Sequence, residues 1–124
     1  MTGPRCLLVD DEPGLLRLVS RILEIHCNMT VVTASNAIVA LQRLHAESFD
    51  ILVTDEGMPG PSGLHLLKVA KEKWPLMRRV LLTGAANSEQ MNSGIADAVI
   101  DKIFNSKVIA SKICRLASNA RNIT

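Results

Sequence analysis

Cys6-Leu7-Leu8-Val9-Asp10-Asp11-Glu12 passes from four consecutive apolar residues straight into three acids. A short run with no polar alternation reads as a strand covered on both faces. The acids mark where that strand leaves the core. Immediately behind them, Pro13 sits where a first-turn proline belongs. From Gly14 to Cys27, Leu15, Leu16, Val19, Ile22 and Leu23 then recur at helical spacing. Strand, acid, helix is therefore the unit at the start of the chain.

The same unit recurs further along. Thr30 to Ala34 (TVVTA) is a β-branched run and reads as a strand. Asn36 is suited to cap a helix with Ala37, Ala40, Leu41 and Leu44 on one face. Phe49 to Thr54 (FDILVT) reads as a buried strand stopped by Asp55, and Gly57-Met58-Pro59-Gly60-Pro61-Ser62-Gly63 as a loop. Leu66, Leu67, Ala70 and Trp74 mark a helix that ends before Pro75. Arg79 to Thr83 is a fourth strand, Asn87 to Gly94 a weak helix poor in apolar residues, and Ala98 to Asp101 a fifth strand. Ile109, Ile113, Leu116, Ala117 and Ala120 form the stripe of a last helix. Five strands alternating with five helices predict an α/β fold, a parallel, doubly wound sheet with helices on both sides.

Composition narrows the function. The 124 residues suit one domain, and 48% hydrophobic content is enough for a core. Fourteen Lys and Arg against twelve Asp and Glu leave a net charge of only +2, and no basic run exceeds Arg78-Arg79. Nucleic-acid binding is not expected on that charge, nor a stacking platform on 2% aromatic content. Cys6, Cys27 and Cys114 are odd in number and far apart in sequence, which argues against a disulfide framework or a structural zinc site. A reducing, cytoplasmic setting fits. The N-terminus reads neither as a signal peptide nor as a membrane span.

In doubly wound sheets, chemistry gathers at the carboxyl ends of the strands. Here strand one ends at Asp10-Asp11, strand three at Asp55 and strand four at Thr83, and Lys102 follows strand five. Three neighbouring carboxylates do not all ionise without raised pKa values or a cation, and a hard divalent ion is one solution. Mg²⁺ is the expected ion, with Mn²⁺ as its substitute, because both are hard and take oxygen ligands. A site with a divalent cation and Lys102 aimed at an exposed Asp is suited to an incoming phosphoryl group. Asp55 would then be the nucleophile, and the Thr83 hydroxyl would donate to a phosphoryl oxygen.

These residues carry a resemblance. Leu7 to Glu12 (LLVDDE), Asp55 to Gly63 (DEGMPGPSG), Leu81 to Gly84 (LLTG) and Asp101 to Phe104 (DKIF) are similar to the receiver domain of two-component response regulators. Val32 to Leu41 fits the second strand and helix, so the likeness covers nearly the whole chain. It implies a CheY-like, flavodoxin-like fold with strand order 2-1-3-4-5. It implies that Asp55 is the phosphoacceptor, that Asp11 ligates Mg²⁺ directly and Asp10 mainly through water, and that Gly57 offers a backbone carbonyl to the metal. Thr83 and Lys102 would bind the phosphoryl group. The donor would be a phosphohistidine on a sensor histidine kinase or phosphotransfer protein. Phosphorylation would remodel the face of the fourth helix, fifth strand and fifth helix, a surface open to a partner or to homodimerisation. Residues 1–124 would be a single receiver domain without an output domain in the chain.

Two positions depart from that family. Ile103 follows Lys102 where proline is usual, so a trans bond is expected there. Val99 stands where an aromatic ring is usual, three positions before the lysine, and cannot swing as a ring does. Both leave open a pseudo-receiver, an interaction module that takes no phosphate. An aspartate-nucleophile phosphatase would want a second Asp at position 57, which is Gly. A flavin-binding phosphate loop after strand one is missing, and so is a nucleotide-binding G-x-x-x-x-G-K. Glu12 reads as a first-turn helix acid, Asp50 and Asp97 as turn residues, and His26, His45 and His65 as helix-surface residues. Gly63 is expected where two backbones pass closely.

Overall fold

The computed structural model describes residues 3–84 and 94–121. Five strands lie in one sheet: β1 (Arg5–Val9), β2 (Thr30–Ala34), β3 (Ile51–Asp55), β4 (Arg78–Thr83) and β5 (Ala98–Asp101). All neighbours are parallel and the order is β2-β1-β3-β4-β5. Four helices are present among the described residues: α1 (Pro13–His26), α2 (Ala37–Ala46), α3 (Gly63–Lys73) and α4 (Ser106–Arg121). The weak helix expected over 87–94 lies, but for Gly94, outside the described residues.

The strands are parallel because each must be covered twice. The middle strand β3 is buried at every position, as is β1 apart from Arg5. Side chains alternate across the sheet. Cys6, Leu8, Ile51, Val53, Val80, Leu82 and Ile100 face one way, onto Val19 and Leu23 of α1 and Ile109, Ile113 and Ala117 of α4. Leu7, Val9, Leu52 and Leu81 face the other, onto Ala37, Ala40 and Leu44 of α2 and Leu66, Leu67 and Ala70 of α3. The helix stripes read from the sequence are these faces, with Leu15, Leu16, Ile22, Leu41, Trp74 and Leu116 partly buried along them; the Ala120 side chain lies outside what the structure describes. No helix among the described residues is long and apolar enough to cross a membrane.

Local signals fix the helix starts. Asn36 accepts a hydrogen bond from the Val39 amide and Ser62 one from the His65 amide, each satisfying an otherwise unpaired first-turn donor. Pro13 takes the first turn of α1. Glu12 is not inside that turn: it occupies the cap position, and its side chain makes no capping hydrogen bond. A different partner holds it.

The opposite, amino-terminal edge of the sheet is closed by two matching devices. The Arg5 amide donates to Asp50 Oδ2 at 2.8 Å, and the Asp50 amide donates back to the Arg5 carbonyl. The Arg79 amide donates to Asp97 Oδ2 at 2.8 Å, and the Asp97 amide returns to the Arg79 carbonyl. Asp50 and Asp97 therefore extend the ladders past the first residues of β3 and β5. They are strand-start caps more than turn residues, and neither lies near the carboxyl-terminal edge.

Candidate functional site

Register alone brings the acids together. Val9 pairs with Thr54 and Asp55 with Leu82, so Asp10 follows β1 beside Asp55, and Thr83 lies one step further along β4. Asp55 belongs to β3 as its last paired residue; the strand runs one residue beyond the break the sequence suggested. Its ladder partner on β4 keeps it extended. The Lys102 amide donates to the Thr83 carbonyl at 2.9 Å, which ties the loop after β5 to the end of β4.

One ligand oxygen each from Asp10, Asp11 and Asp55 fits within a span of 4.8 Å. Asp10 and Asp55 are buried and Asp11 is exposed. Lys102 leans into the group: its Nζ lies 2.7 Å from Glu12 Oε1, 3.1 Å from Asp10 Oδ2 and 3.5 Å from Asp55 Oδ1. The peptide bond to Ile103 is trans, as expected without proline, and Lys102 reaches the carboxylates all the same. Thr83 is buried at the rim, and Gly57 lines the same cleft with Asp11, Asp55, Thr83 and Lys102.

Burial is the leading influence on the two inner acids. Desolvation raises the Asp10 pKa against the pull of the Glu12 amide and of Lys102. Desolvation likewise raises the pKa of Asp55, with Lys102 opposing and the Asp11 charge adding to it. For Lys102 desolvation works against the ammonium, but the carboxylates of Glu12, Asp10 and Asp55 outweigh it and its pKa ends above its ordinary value. One amine is shared among several anions, and the cluster remains short of positive charge.

Asp10 Oδ1 accepts from the Glu12 amide at 2.9 Å, but Oδ2 is buried with no hydrogen-bond partner. Lys102 sits close to it as a charge without hydrogen-bond alignment. The ammonium at 3.1 Å offsets part of the cost of burying that oxygen, yet Asp10 and Asp55 share this one amine with Glu12. A hard divalent cation suits this all-oxygen set, and the cluster is able to hold one.

Gly63 explains why α3 starts where it does. A Cβ there would lie 2.0 Å from the Asp55 carbonyl oxygen, so only glycine lets the helix start pass the end of β3. At Gly57 a Cβ would meet nothing within 4 Å, leaving the cleft open on that side.

Sequence reasoning missed one contributor to the site, Glu12, and one buried charge at the opposite edge of the sheet, Arg79. Glu12 is the shortest ion contact of Lys102, across a separation of 90 residues. Arg79 is buried, and its guanidinium is held by the carbonyls of Ile95 and Met77, with Asp97 Oδ1 3.8 Å away. An acid beside the Asp pair and the second member of the Arg78-Arg79 pair were the only signals. Of the histidines, His45 packs edge-on against Trp74 with ring centroids 5.0 Å apart, and none lies in the cleft.

The response regulator receiver domain family matches residues 6–114. The chemotaxis protein CheY of Pseudomonas aeruginosa is 30% identical over 115 residues, covering 88% of this chain and 92% of that protein. The hydrogenase transcriptional regulatory protein HoxA of Cupriavidus necator is 32% identical over 94 residues, which span 76% of this chain but only 19% of HoxA. Among solved structures, a CheY-like receiver domain protein from Methanospirillum hungatei superposes with a TM-score of 0.87 at 29% identity, covering 99% of this chain and all of that one. The response regulator TrrA of Thermotoga maritima, solved in complex with Mg²⁺ and BeF, superposes with a TM-score of 0.80 at 30% identity, covering 94% of this chain and 99% of that one.

Proposed function

The chain belongs to the response regulator receiver domain family, a signalling family of two-component systems, and from that premise we propose that Asp55 is its phosphoacceptor. The observation that carries the reading is the placement of Lys102 Nζ 3.5 Å from Asp55 Oδ1, within a carboxylate cluster that has an unsatisfied buried oxygen.

In the proposed step an Asp55 carboxylate oxygen attacks phosphorus. The new O–P bond forms as the N–P bond of a phosphohistidine breaks, and the electron pair leaves with the imidazole. Asp10, Asp11 and Asp55, with the Gly57 carbonyl, would hold Mg²⁺, or Mn²⁺ in its place. The bound ion supplies positive charge against the phosphoryl oxygens. Lys102 shifts its charge from Glu12 and Asp10 toward the added group, and the Thr83 hydroxyl donates to a phosphoryl oxygen. The donor is a sensor histidine kinase or phosphotransfer protein. Residues 1–124 act as one receiver unit whose face around β5 and α4 changes on phosphorylation and meets an output partner or a second copy.

Val99 stands in register with Leu81 and packs on the α2/α3 side of the sheet. With no ring to swing, the signal travels through backbone movement of the Thr83 and Lys102 segments, which the hydrogen bond from the Lys102 N–H to the Thr83 carbonyl already couples.

The test is chemical. With Mg²⁺ and acetyl phosphate, the intact protein should gain about 80 Da, the mass of one phosphoryl group, and Asp55→Ala should gain nothing. Equal labelling of both proteins would refute the assignment. No labelling of either would favour a phosphate-independent interaction module.

A further inference from the structure

We propose that Cys27 and Cys114 form a dithiol site that closes to a disulfide by exchange with a small anionic disulfide of the oxidised-glutathione class. The site lies on the flank where α1 meets α4, away from the acid cleft. Both residues are free thiols, half-buried against the same apolar cluster, and both line one cavity. The Cys114 thiol is near enough to add to the rise of the Cys27 pKa, so the two side chains are neighbours within that cavity.

Backbone capping holds one of them in place. Cys27 caps the end of α1, and its amide donates to the Leu23 carbonyl at 3.1 Å. Asn28, at φ 53°, then turns the chain away in the left-handed region. Cys114 sits on α4, a rigid element packed along α1. Neither thiol therefore depends on a loose loop for its position.

The cavity selects the reagent by charge. His26, Lys107 and Arg115 line it, and no acid does among the described residues. An uncharged or cationic oxidant gains nothing there, whereas a disulfide carrying carboxylates does. Burial, followed by the nearby Cys114 thiol, pushes Cys27 up to about 11, which makes it a poor first nucleophile; its attack follows once the mixed disulfide is held beside it in the same cavity.

The exchange balances with one external disulfide. Cys114 loses its proton and attacks one sulfur of the reagent, forming a mixed disulfide and expelling a thiolate that takes up a proton. Cys27 then loses its proton and attacks the Cys114 sulfur. The second reagent thiolate leaves and is protonated. Two protein thiols are oxidised, and the reagent is reduced to two thiols. Cys6 is fully buried, with its thiol raised to about 12 by that burial, and stays out of the reaction.

The experiment uses the whole chain with oxidised glutathione, read by intact mass and peptide mapping after alkylation. The mass should fall by about 2 Da as two thiol hydrogens are lost. The linked peptides should be those of Cys27 and Cys114, with Cys6 still alkylatable, and dithiothreitol should reverse the change. Cys27→Ser should stop at a mixed disulfide on Cys114, a gain of about 305 Da. Lys107→Gln with Arg115→Gln should slow the reaction with oxidised glutathione several-fold yet leave 2-hydroxyethyl disulfide, a neutral reagent, unaffected. Asp55→Ala should react like the parent. Failure to react, a linkage through Cys6, cross-linked dimers, or a mixed disulfide that persists in the unaltered chain would each overturn the proposal.

Discussion

Asp10 and Asp55 hold their protons more tightly in the folded chain than ordinary carboxyl groups do, because burial opposes their charge. The sign of the resulting pH dependence follows from linkage. A pKa raised on folding gives a stability contribution that is complete below the unfolded value, here 3.8, and is lost as pH rises through the folded values. In metal-free buffer the pair should therefore favour the folded state more at pH 5 than at pH 8. The comparison is with Asp10→Asn, which isolates the charge of this residue. Asparagine keeps an oxygen for the Glu12 amide and carries no charge. The variant should be the more stable protein at pH 8, with the difference in Tm shrinking as the pH falls. An equal difference at both pH values would mean that the charge on Asp10 costs nothing. The identity of this residue was legible from where the apolar run stops. The amine that serves it was legible too, because Lys102 follows strand five at the same edge; the hydrogen-bond geometry of its second oxygen was not, since no residue pattern reports it.

At the scale of elements, the site depends on how closely α3 starts against the end of β3. Gly63→Ala places a Cβ 2.0 Å from the Asp55 carbonyl oxygen, and both partners of that clash are backbone, so one element must shift. The expected cost is about 1–3 kcal/mol, the range for overpacking. The displaced end of β3 should also weaken divalent binding. Gly57→Ala is the control: its Cβ meets nothing within 4 Å, and its stability in urea should stay within about 0.5 kcal/mol of the parent. Equal denaturation midpoints for the two variants would remove the close approach from the account. The contact at Gly63 was foreseeable because a glycine at a helix start after a Pro-rich loop has few other uses. Strands and helix faces were legible for a similar reason: burial writes its period into neighbouring residues. Arg79 was not legible, because Arg78-Arg79 reads as surface charge until β4 turns the second guanidinium inward onto carbonyls from other segments. Glu12 was misread by one position for a related reason. A helix cap and a first-turn residue differ by a single step, and the partner that decides its role is 90 residues away.

Across the whole molecule, two apolar layers carry the fold while the sheet's carboxyl edge works against it. Both layers run the length of the sheet, and neither needs the acids. The cluster is then a local cost that a cation would relieve on binding, which would make metal affinity also folding stability. A ligand that binds only the folded chain adds RT ln(1 + [L]/Kd), about 1.4 kcal/mol at ten times Kd. In a chain of this size that corresponds to a Tm rise of roughly 5 °C. Asp11 is the residue on which to test this, because it is exposed and its loss leaves both layers intact. Asp11→Asn should melt close to the parent without Mg²⁺ and gain little when Mg²⁺ is added, while the parent gains the full increment. Ca²⁺, which is larger and asks for more ligands, should protect the parent less than Mg²⁺ or Mn²⁺. If Asp11→Asn gained as much from Mg²⁺ as the parent, the cation would be acting elsewhere on the surface, and the carboxyl edge would have to carry its charge by protonation alone.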